Sequence, residues 1–421
     1  MKAWTRPEIP TVPGRSAAPM IFDTATQSLV EAKPHDIARL YVCGITPYDA
    51  THMGHASTYL AFDTLQRVWR DAGYLVHYAQ NITDIDDPLL ERATATGVDW
   101  RTLADDQIEL FRQDMASLDV IPPDHYVAVT EMIGEIAEAV CTLLDRGIAY
   151  RVPTEGADGD DIYFDIAAAQ DATPWVLGEE SNLDRDMMLA LSAERGGDPD
   201  RAGKRDALDP LLWRAARVGE PSWPARVGEG RPGWHIECSV IALKHLGKDF
   251  TVQGGGFDLV FPHHELSGGH ASALSGHRLA QVYSHAGLVA YEGEKMSKSL
   301  GNLVLVSRLR ESGVDPRAIR LTILAHHYRS NWEWTDAVLA EATDRLARWS
   351  AAVSASAGDV SQDASTQALS AMDLIADVRM ALNNDLDTPG ALSVLDGALM
   401  HRIDEPRLVV DAVRALLGVA L

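Results

Sequence analysis

Apolar residues along the first hundred positions change their period twice. Leu40 to Val42 is a short unbroken apolar run, which reads as a strand; Tyr59, Phe62, Leu65 and Val68 then recur three apart, as one helical face requires. A second apolar run, Tyr74 to Ala79, completes a strand, helix, strand unit of the nucleotide-binding kind over residues 39–90. Both strands end in polar residues, where open α/β sheets bind ligands. From Arg101 to Arg146 the pattern is helical, with Leu103, Ile108, Phe111 and Met115, then Ile133, Ile136, Val140 and Leu144. Turn-rich stretches at 156–161 and 194–199 surround a short strand at Ile162, and apolar runs return at Leu211–Trp213 and Ser284–Ala290. Helical patterns resume at Asp315–Tyr328 and after an Ala/Ser/Asp-rich break at 352–366, while residues 1–38 are Pro-rich with little periodicity.

The first strand leads into Cys43-Gly44-Ile45-Thr46-Pro-Tyr-Asp-Ala-Thr-His52-Met-Gly54-His55. A small-residue loop feeding a helix N-terminus is an anion site, because free N–H groups and the helix dipole point the same way. Two loop histidines alone would read as surface residues. Their weight comes from Lys295-Met-Ser-Lys298-Ser299, which holds two of the chain's seven lysines and suggests a cation placed against a polyanion. Together the stretches resemble the HIGH and KMSKS signatures of class I aminoacyl-tRNA synthetases.

Composition narrows the partners. The 421 residues are 46% hydrophobic, with 37 basic against 61 acidic side chains and a net charge of −24. Nucleic-acid affinity comes largely from Lys and Arg neutralising phosphates, so a broad nucleic-acid surface is not expected. With no eighteen-residue apolar run and no signal-peptide layout, the expectation is a cytoplasmic, membrane-free monomer. Three scattered cysteines cannot form a disulfide framework. Cys43, Cys238 and His263 or His264 each read as loop residues beside strand ends, a thiolate and imidazole set suited to zinc. Two small buried core cysteines are the plainer alternative. Asp84, Asp86 and Asp87 read as a solvated loop capping the next helix rather than a metal cluster.

Four blocks sharpen the resemblance: Cys43-Gly-Ile-Thr46, Asn81-Ile82-Thr83-Asp-Ile-Asp-Asp, Gly233-Trp234-His-Ile-Glu-Cys238, and Gly254-Gly-Gly256-Phe257-Asp258-Leu-Val-Phe-Pro-His263-His-Glu. They resemble cysteinyl-tRNA synthetases. The resemblance implies an α/β, Rossmann-like core with an inserted connective domain and a C-terminal helical region. It also implies one Zn2+ on Cys43, Cys238 and His263; the family's fourth ligand, a glutamate, falls on Ser267. Gly44, Ile45, Thr46, Asn81, Ile82, Thr83 and Trp234 would surround cysteine, with Thr58 on the helix after the signature and Gly256, Phe257 and Asp258 near the ribose. Val289 would face adenine, and His52, His55, Lys295 and Lys298 would handle the phosphates of Mg2+-bound ATP. For Trp234 a plain core role is equally open.

The implied boundaries are an arm at 1–38, catalytic halves at 39–120 and 211–305, a connective insertion at 121–210, a stem-contact-like helical segment at 306–350 and a helical domain at 351–421. The sequence stops soon after Ala381-Leu-Asn-Asn-Asp-Leu-Asp-Thr388, leaving no room for an anticodon-binding region. With the acidic balance, the missing fourth ligand, Pro47-Tyr-Asp-Ala-Thr-His52 and Glu194-Arg-Gly-Gly-Asp-Pro199, this resembles the cysteine ligases of mycothiol biosynthesis. The implied reaction forms cysteinyl-adenylate from L-cysteine and ATP and passes the cysteine to the amine of glucosaminyl-inositol. A shortened cysteinyl-tRNA synthetase and a catalytically dead, regulatory paralogue are the alternatives.

Overall fold

The computed structural model describes residues 1–49, 51–296, 301–358 and 368–421. Its centre is a five-stranded parallel sheet with the spatial order Ala280–Ala286, Phe250–Gly256, Ile37–Val42, Leu75–Ile82, His125–Ala128. The chain enters at the middle strand, builds outward to one edge, and much later returns to fill the other side. The order therefore reverses between Ile37–Val42 and Phe250–Gly256, and a crevice opens at their carboxyl ends.

The helix Met53–Asp71 crosses from the middle strand to its neighbour and buries Tyr59, Phe62, Leu65 and Val68, as their spacing predicts. Close packing there depends on Gly254, where a Cβ would stand 2.5 Å from the Phe62 ring. Farther along the helix, the fully buried Asp63 carboxylate accepts from Arg67 Nε at 2.7 Å, from Arg320 and from the Ile121 N–H at 2.8 Å. Arg320 also donates to the carbonyls of Leu118 and Leu417, and Arg67 to that of Arg414. One buried carboxylate thus ties the signature helix to the helices Pro316–Leu324 and Pro406–Leu417.

Three elements differ from the pattern reading. The helical stretch 101–146 is two helices, Trp100–Ser117 and Ile133–Asp145, separated by the edge strand His125–Ala128. Its four residues are too few to interrupt a helical period. The Pro-rich start is not featureless: Met20–Asp23 and Ser28–Glu31 form an antiparallel hairpin, held to the opposite edge strand, Ala280–Ala286, by Asp23 accepting from the Tyr283 N–H at 2.8 Å. Cys238 lies not in a loop but in the first turns of the helix Trp234–Leu246.

After Ala128 the chain leaves the parallel sheet and forms a mainly antiparallel one from Ala149–Val152, Asp161–Phe164, Leu211–Arg217 and Gly230–Pro232. The helices Asp336–Gly358, Ala371–Asn383, Thr388–Ala398 and Pro406–Leu417 follow the catalytic sheet. Among the described residues, no helix is long and apolar enough to cross a membrane.

Candidate active site

Cys43 immediately follows the middle strand, at the reversal of strand order. Its turn is tight: a Cβ on Gly44 would lie 1.7 Å from the Asn81 carbonyl oxygen. The Asn81 side-chain oxygen accepts from the Gly44 N–H at 2.9 Å and the Tyr41 hydroxyl at 3.1 Å, while the Thr83 N–H donates to the Ile45 carbonyl at 3.1 Å. Thr46 is half-buried on the same turn, and Ile82 is a buried strand residue.

The sulfur of Cys43 is 3.9 Å from that of Cys238, and His263 Nε2 is 3.2 Å from Cys238 Sγ. The three donor atoms lie within 4.8 Å of one another, and all three residues are buried. Burial opposes a thiolate at Cys238, but the Cys43 hydrogen bond and the adjacent His263 hold this thiol well below its ordinary value. Burial pushes the Cys43 thiol well up, helped by Cys238. Two thiols and an imidazole, with one sulfur already favoured as thiolate, form a soft donor set that fits a metal ion of the zinc type.

Around these donors lies a shell the sequence did not disclose. His263 Nδ1 meets His235 Nδ1 at 3.1 Å and its ring stacks on Trp234 at 4.3 Å, so Trp234 is half-buried against a member of the donor cluster rather than sunk in the core. Ser267, at the position of the family's glutamate, turns its hydroxyl to the His235 carbonyl at 3.1 Å. On the other side, Cys43 Sγ meets His264 Nε2 at 3.2 Å; His264 Nδ1 meets His285 Nε2 at 2.7 Å, and His285 Nδ1 meets Thr24 Oγ1 at 2.7 Å. Burial holds both imidazoles neutral, His264 well below its ordinary value and His285 down to about 3. The Gln253 amide Nε2 also reaches this point, donating to Cys43 Sγ at 3.4 Å and to His264 Nε2 at 3.1 Å. With that ring nitrogen accepting, His264 donates from Nδ1 to His285 and His285 from Nδ1 to the Thr24 hydroxyl, so the amide is the donor to the Cys43 sulfur.

The histidine loop lies beside this centre. His52 caps the signature helix, its Nδ1 accepting from the N–H groups of Gly54 and His55 at 3.1 and 3.4 Å, and its ring stacks on His55 at 3.8 Å. A neutral His52 accepting at Nδ1 carries its proton on Nε2, making that nitrogen a donor. Thr58 donates to the Gly54 carbonyl at 3.2 Å, and a Cβ on Gly256 would meet Asp258 Oδ1 at 2.7 Å and Thr58 Oγ1 at 3.6 Å. Thr58, Gly256 and Asp258 therefore share one wall, whereas Phe257 points outward, 55% exposed. Of the acidic stretch read as a solvated capping loop, Asp86 does cap the helix Asp87–Thr96, but Asp84 is buried and accepts from the Thr130 N–H at 2.9 Å, and Asp87 pairs with Arg231.

The chain just after the lysine signature runs against the histidine loop: Met53 N–H donates to the Val304 carbonyl and Val306 N–H to the Thr51 carbonyl, both at 2.9 Å. Val289 is buried, its carbonyl accepting from the Met296 N–H at 3.3 Å, and Lys295 ends the short strand that pairs with Val289–Tyr291. Lys298 lies outside the described residues.

The family described as tRNA synthetases class I (C) catalytic domain matches residues 29–344. A protein of Clavibacter michiganensis subsp. michiganensis, named L-cysteine:1D-myo-inositol 2-amino-2-deoxy-alpha-D-glucopyranoside ligase, is 61% identical over 100% of this chain and 99% of its own. A Micrococcus luteus protein of the same name is 56% identical over the full length of both. Among solved structures, Mycobacterium tuberculosis methionyl-tRNA synthetase in complex with methionyl-adenylate superposes with a TM-score of 0.61 at 14% identity. That alignment covers 91% of this chain and 92% of the other, a likeness of fold alone.

Proposed function

The chain belongs to the class I (C) tRNA synthetase family, within it to the L-cysteine:glucosaminyl-inositol ligases, and from this membership we infer how its residues carry out the ligation. The protein is an ATP-dependent ligase of mycothiol biosynthesis that joins L-cysteine to the amine of glucosaminyl-inositol. The observation that carries the mechanism is the meeting of Cys43, Cys238 and His263 at the reversal of strand order, beside the histidine loop.

Cys43, Cys238 and His263 would hold one Zn2+, which when bound offers an open position to the cysteine thiolate and so distinguishes it from the protonated hydroxyl of serine. Gly44, Ile45, Thr46, Asn81, Ile82, Thr83 and Trp234 line the amino-acid side of the crevice. Thr58, Gly256 and Asp258 form the ribose side, with Val289 toward adenine, while the outward-pointing Phe257 can contribute there only through its backbone. The cysteine carboxylate attacks the α-phosphate of Mg2+-bound ATP, and pyrophosphate leaves. His52 and His55 donate to the phosphates at the helix N-terminus, and Lys295 and Lys298 neutralise the departing pyrophosphate. The unprotonated sugar amine then attacks the adenylate carbonyl, the amide forms and AMP departs. Asp258 is the carboxylate we nominate to orient that amine. The working enzyme is a cytoplasmic monomer that uses no nucleic acid.

The test supplies purified protein with Mg2+-ATP and labelled cysteine, and with glucosaminyl-inositol or cysteine tRNA in separate reactions. Label in a sugar amide, with none on tRNA, is expected. Label on tRNA alone overturns the reading in favour of a shortened synthetase, and no cysteine-dependent ATP–pyrophosphate exchange points to a dead paralogue.

A further inference from the structure

Between Ala128 and Phe250 the chain leaves the parallel sheet, and this excursion touches the catalytic crevice on both flanks of His263. On one flank, Arg195 Nη1 donates to the Asp258 carbonyl at 2.6 Å and to the Phe261 carbonyl. On the other, the N–H groups of Gly178 and Ser181 donate to the two oxygens of Glu265, at 3.0 and 2.8 Å. The stretch between consists of short, irregular helical turns, Phe257–Leu259 and Val260–His264, with a residue of extended conformation inside. Such a stretch cannot fix its own shape through a repeating backbone ladder, so outside donors must hold its carbonyls.

The motif around Arg195 is built to hold that guanidinium still. The helix Arg185–Glu194 ends at Arg195. Gly196 then takes a φ of +83°, and Gly197 passes so close to the helix that a Cβ would stand 2.2 Å from Ser192 Oγ. After this reversal the Asp198 carboxylate accepts from the Tyr163 hydroxyl and from Lys204 Nζ at 2.9 Å, which ties the motif to the excursion's own sheet. The Arg-Gly-Gly-Asp run is thus a bracket with one leg in the excursion and one in the crevice.

We propose that the excursion clamps residues 258–265 at two points and that Arg195 is its positioning residue, seating His263 for the metal and Asp258 for the adenylate and acceptor. The proposal rests on reading this crevice as the ligase site. Arg195 touches no reacting atom; both carbonyls accept from its Nη1, whose two N–H bonds keep fixed directions in the guanidinium plane, whereas the three donors of an ammonium turn freely about its stem.

The experiment compares wild-type holoenzyme with Arg195→Lys and Arg195→Ala, taking the surface variant Arg226→Ala as control. Two quantities are read: the rate at which bound metal passes to a chromogenic chelator, and kcat and KM for cysteine in ATP–pyrophosphate exchange. Both Arg195 variants are expected to release metal faster and to lose on the order of 10- to 100-fold in kcat/KM, and free guanidinium ion should restore part of the loss in Arg195→Ala. Arg195→Lys reads the question even if the alanine variant does not fold. Wild-type metal release in the Arg195 variants overturns the clamp. Absence of exchange in the wild type would instead sink the ligase reading, while the metal-release comparison still decides the clamp.

Discussion

Replacing Asp63 with asparagine tests whether the buried charge cluster holds the signature helix to the C-terminal helices. The carboxylate is fully buried and faces two guanidiniums that are equally buried, those of Arg67 and Arg320. Burial disfavours its charge, yet the two arginines hold its pKa below the usual carboxylate range. The substituted amide would keep the shape and one acceptor while leaving Arg320 with carbonyl partners alone; Arg67 would retain Asp119 at 3.5 Å. Removing one partner of a buried pair costs about 3–5 kcal/mol, and the surviving carbonyls place this case toward the lower end. Urea unfolding at pH 7 reads the cost as a midpoint shift multiplied by the slope. Asp315→Asn, which opens the half-exposed pair with Arg317, should cost no more than about 1 kcal/mol. The pH dependence has a definite sign. A depressed folded pKa gives stability that is present above the unfolded value of about 3.9 and is lost as pH falls through the folded one. The stability gap between wild type and Asp63→Asn should therefore narrow in acid. A gap at pH 7 no larger than that of Asp315→Asn would refute the reasoning.

Other outcomes follow from the crevice and its surroundings. Cys238→Ser should bring the metal content measured by atomic emission close to zero and abolish cysteine-dependent exchange; full metal content would remove Cys238 from the ligand set. His52→Ala loses a helix cap worth about 1 kcal/mol but also a phosphate donor, so exchange should fall on the order of 100- to 1,000-fold with only a small loss in thermal stability. Gly44→Ala drives a Cβ into the Asn81 carbonyl and should silence exchange, which a steady-state assay would read directly. Glu180 is buried beside Glu265, and burial foremost pushes its pKa up to about 8. The native chain keeps this proton while the unfolded chain releases it near pH 4.3, so wild-type stability falls as pH rises from about 4.3 toward 8. Glu180→Gln should be more stable by about 2–5 kcal/mol at pH 8 and equal to wild type at pH 4 in matched urea titrations.

Much of this site was legible because its chemistry sits in contiguous blocks. Cys43, His52, His55, Cys238 and His263 each carry a residue type whose reactivity is rare in a loop or helix start, and the fold brings three of them within one metal's reach. The shell behind them was not legible. Thr24 is one threonine in a Pro-rich arm, and only the docking of that hairpin on the edge strand brings its hydroxyl to His285. His264 could not be told from His263, since adjacent residues in irregular turns point in directions that sequence spacing does not fix. Ser267 gave a missing ligand but no replacement role, which depends on the carbonyl of His235 one helix away. Arg195 was visible as a motif and silent as to purpose, because both its acceptors are backbone atoms that carry no sequence signal.

The reversal of strand order also sets a schedule for the growing chain. The middle strand Ile37–Val42 needs Phe250–Gly256 as its neighbour, and at about 5–20 residues per second that partner emerges roughly 10–40 s later. Through that interval Leu40 and Val42 present an unpaired, apolar edge on a nascent half-sheet, and Cys43 waits without Cys238. The first half must therefore stay reduced and unaggregated until the second arrives, so the central crevice is among the last parts of the molecule to form even though its first ligand is among the earliest residues made.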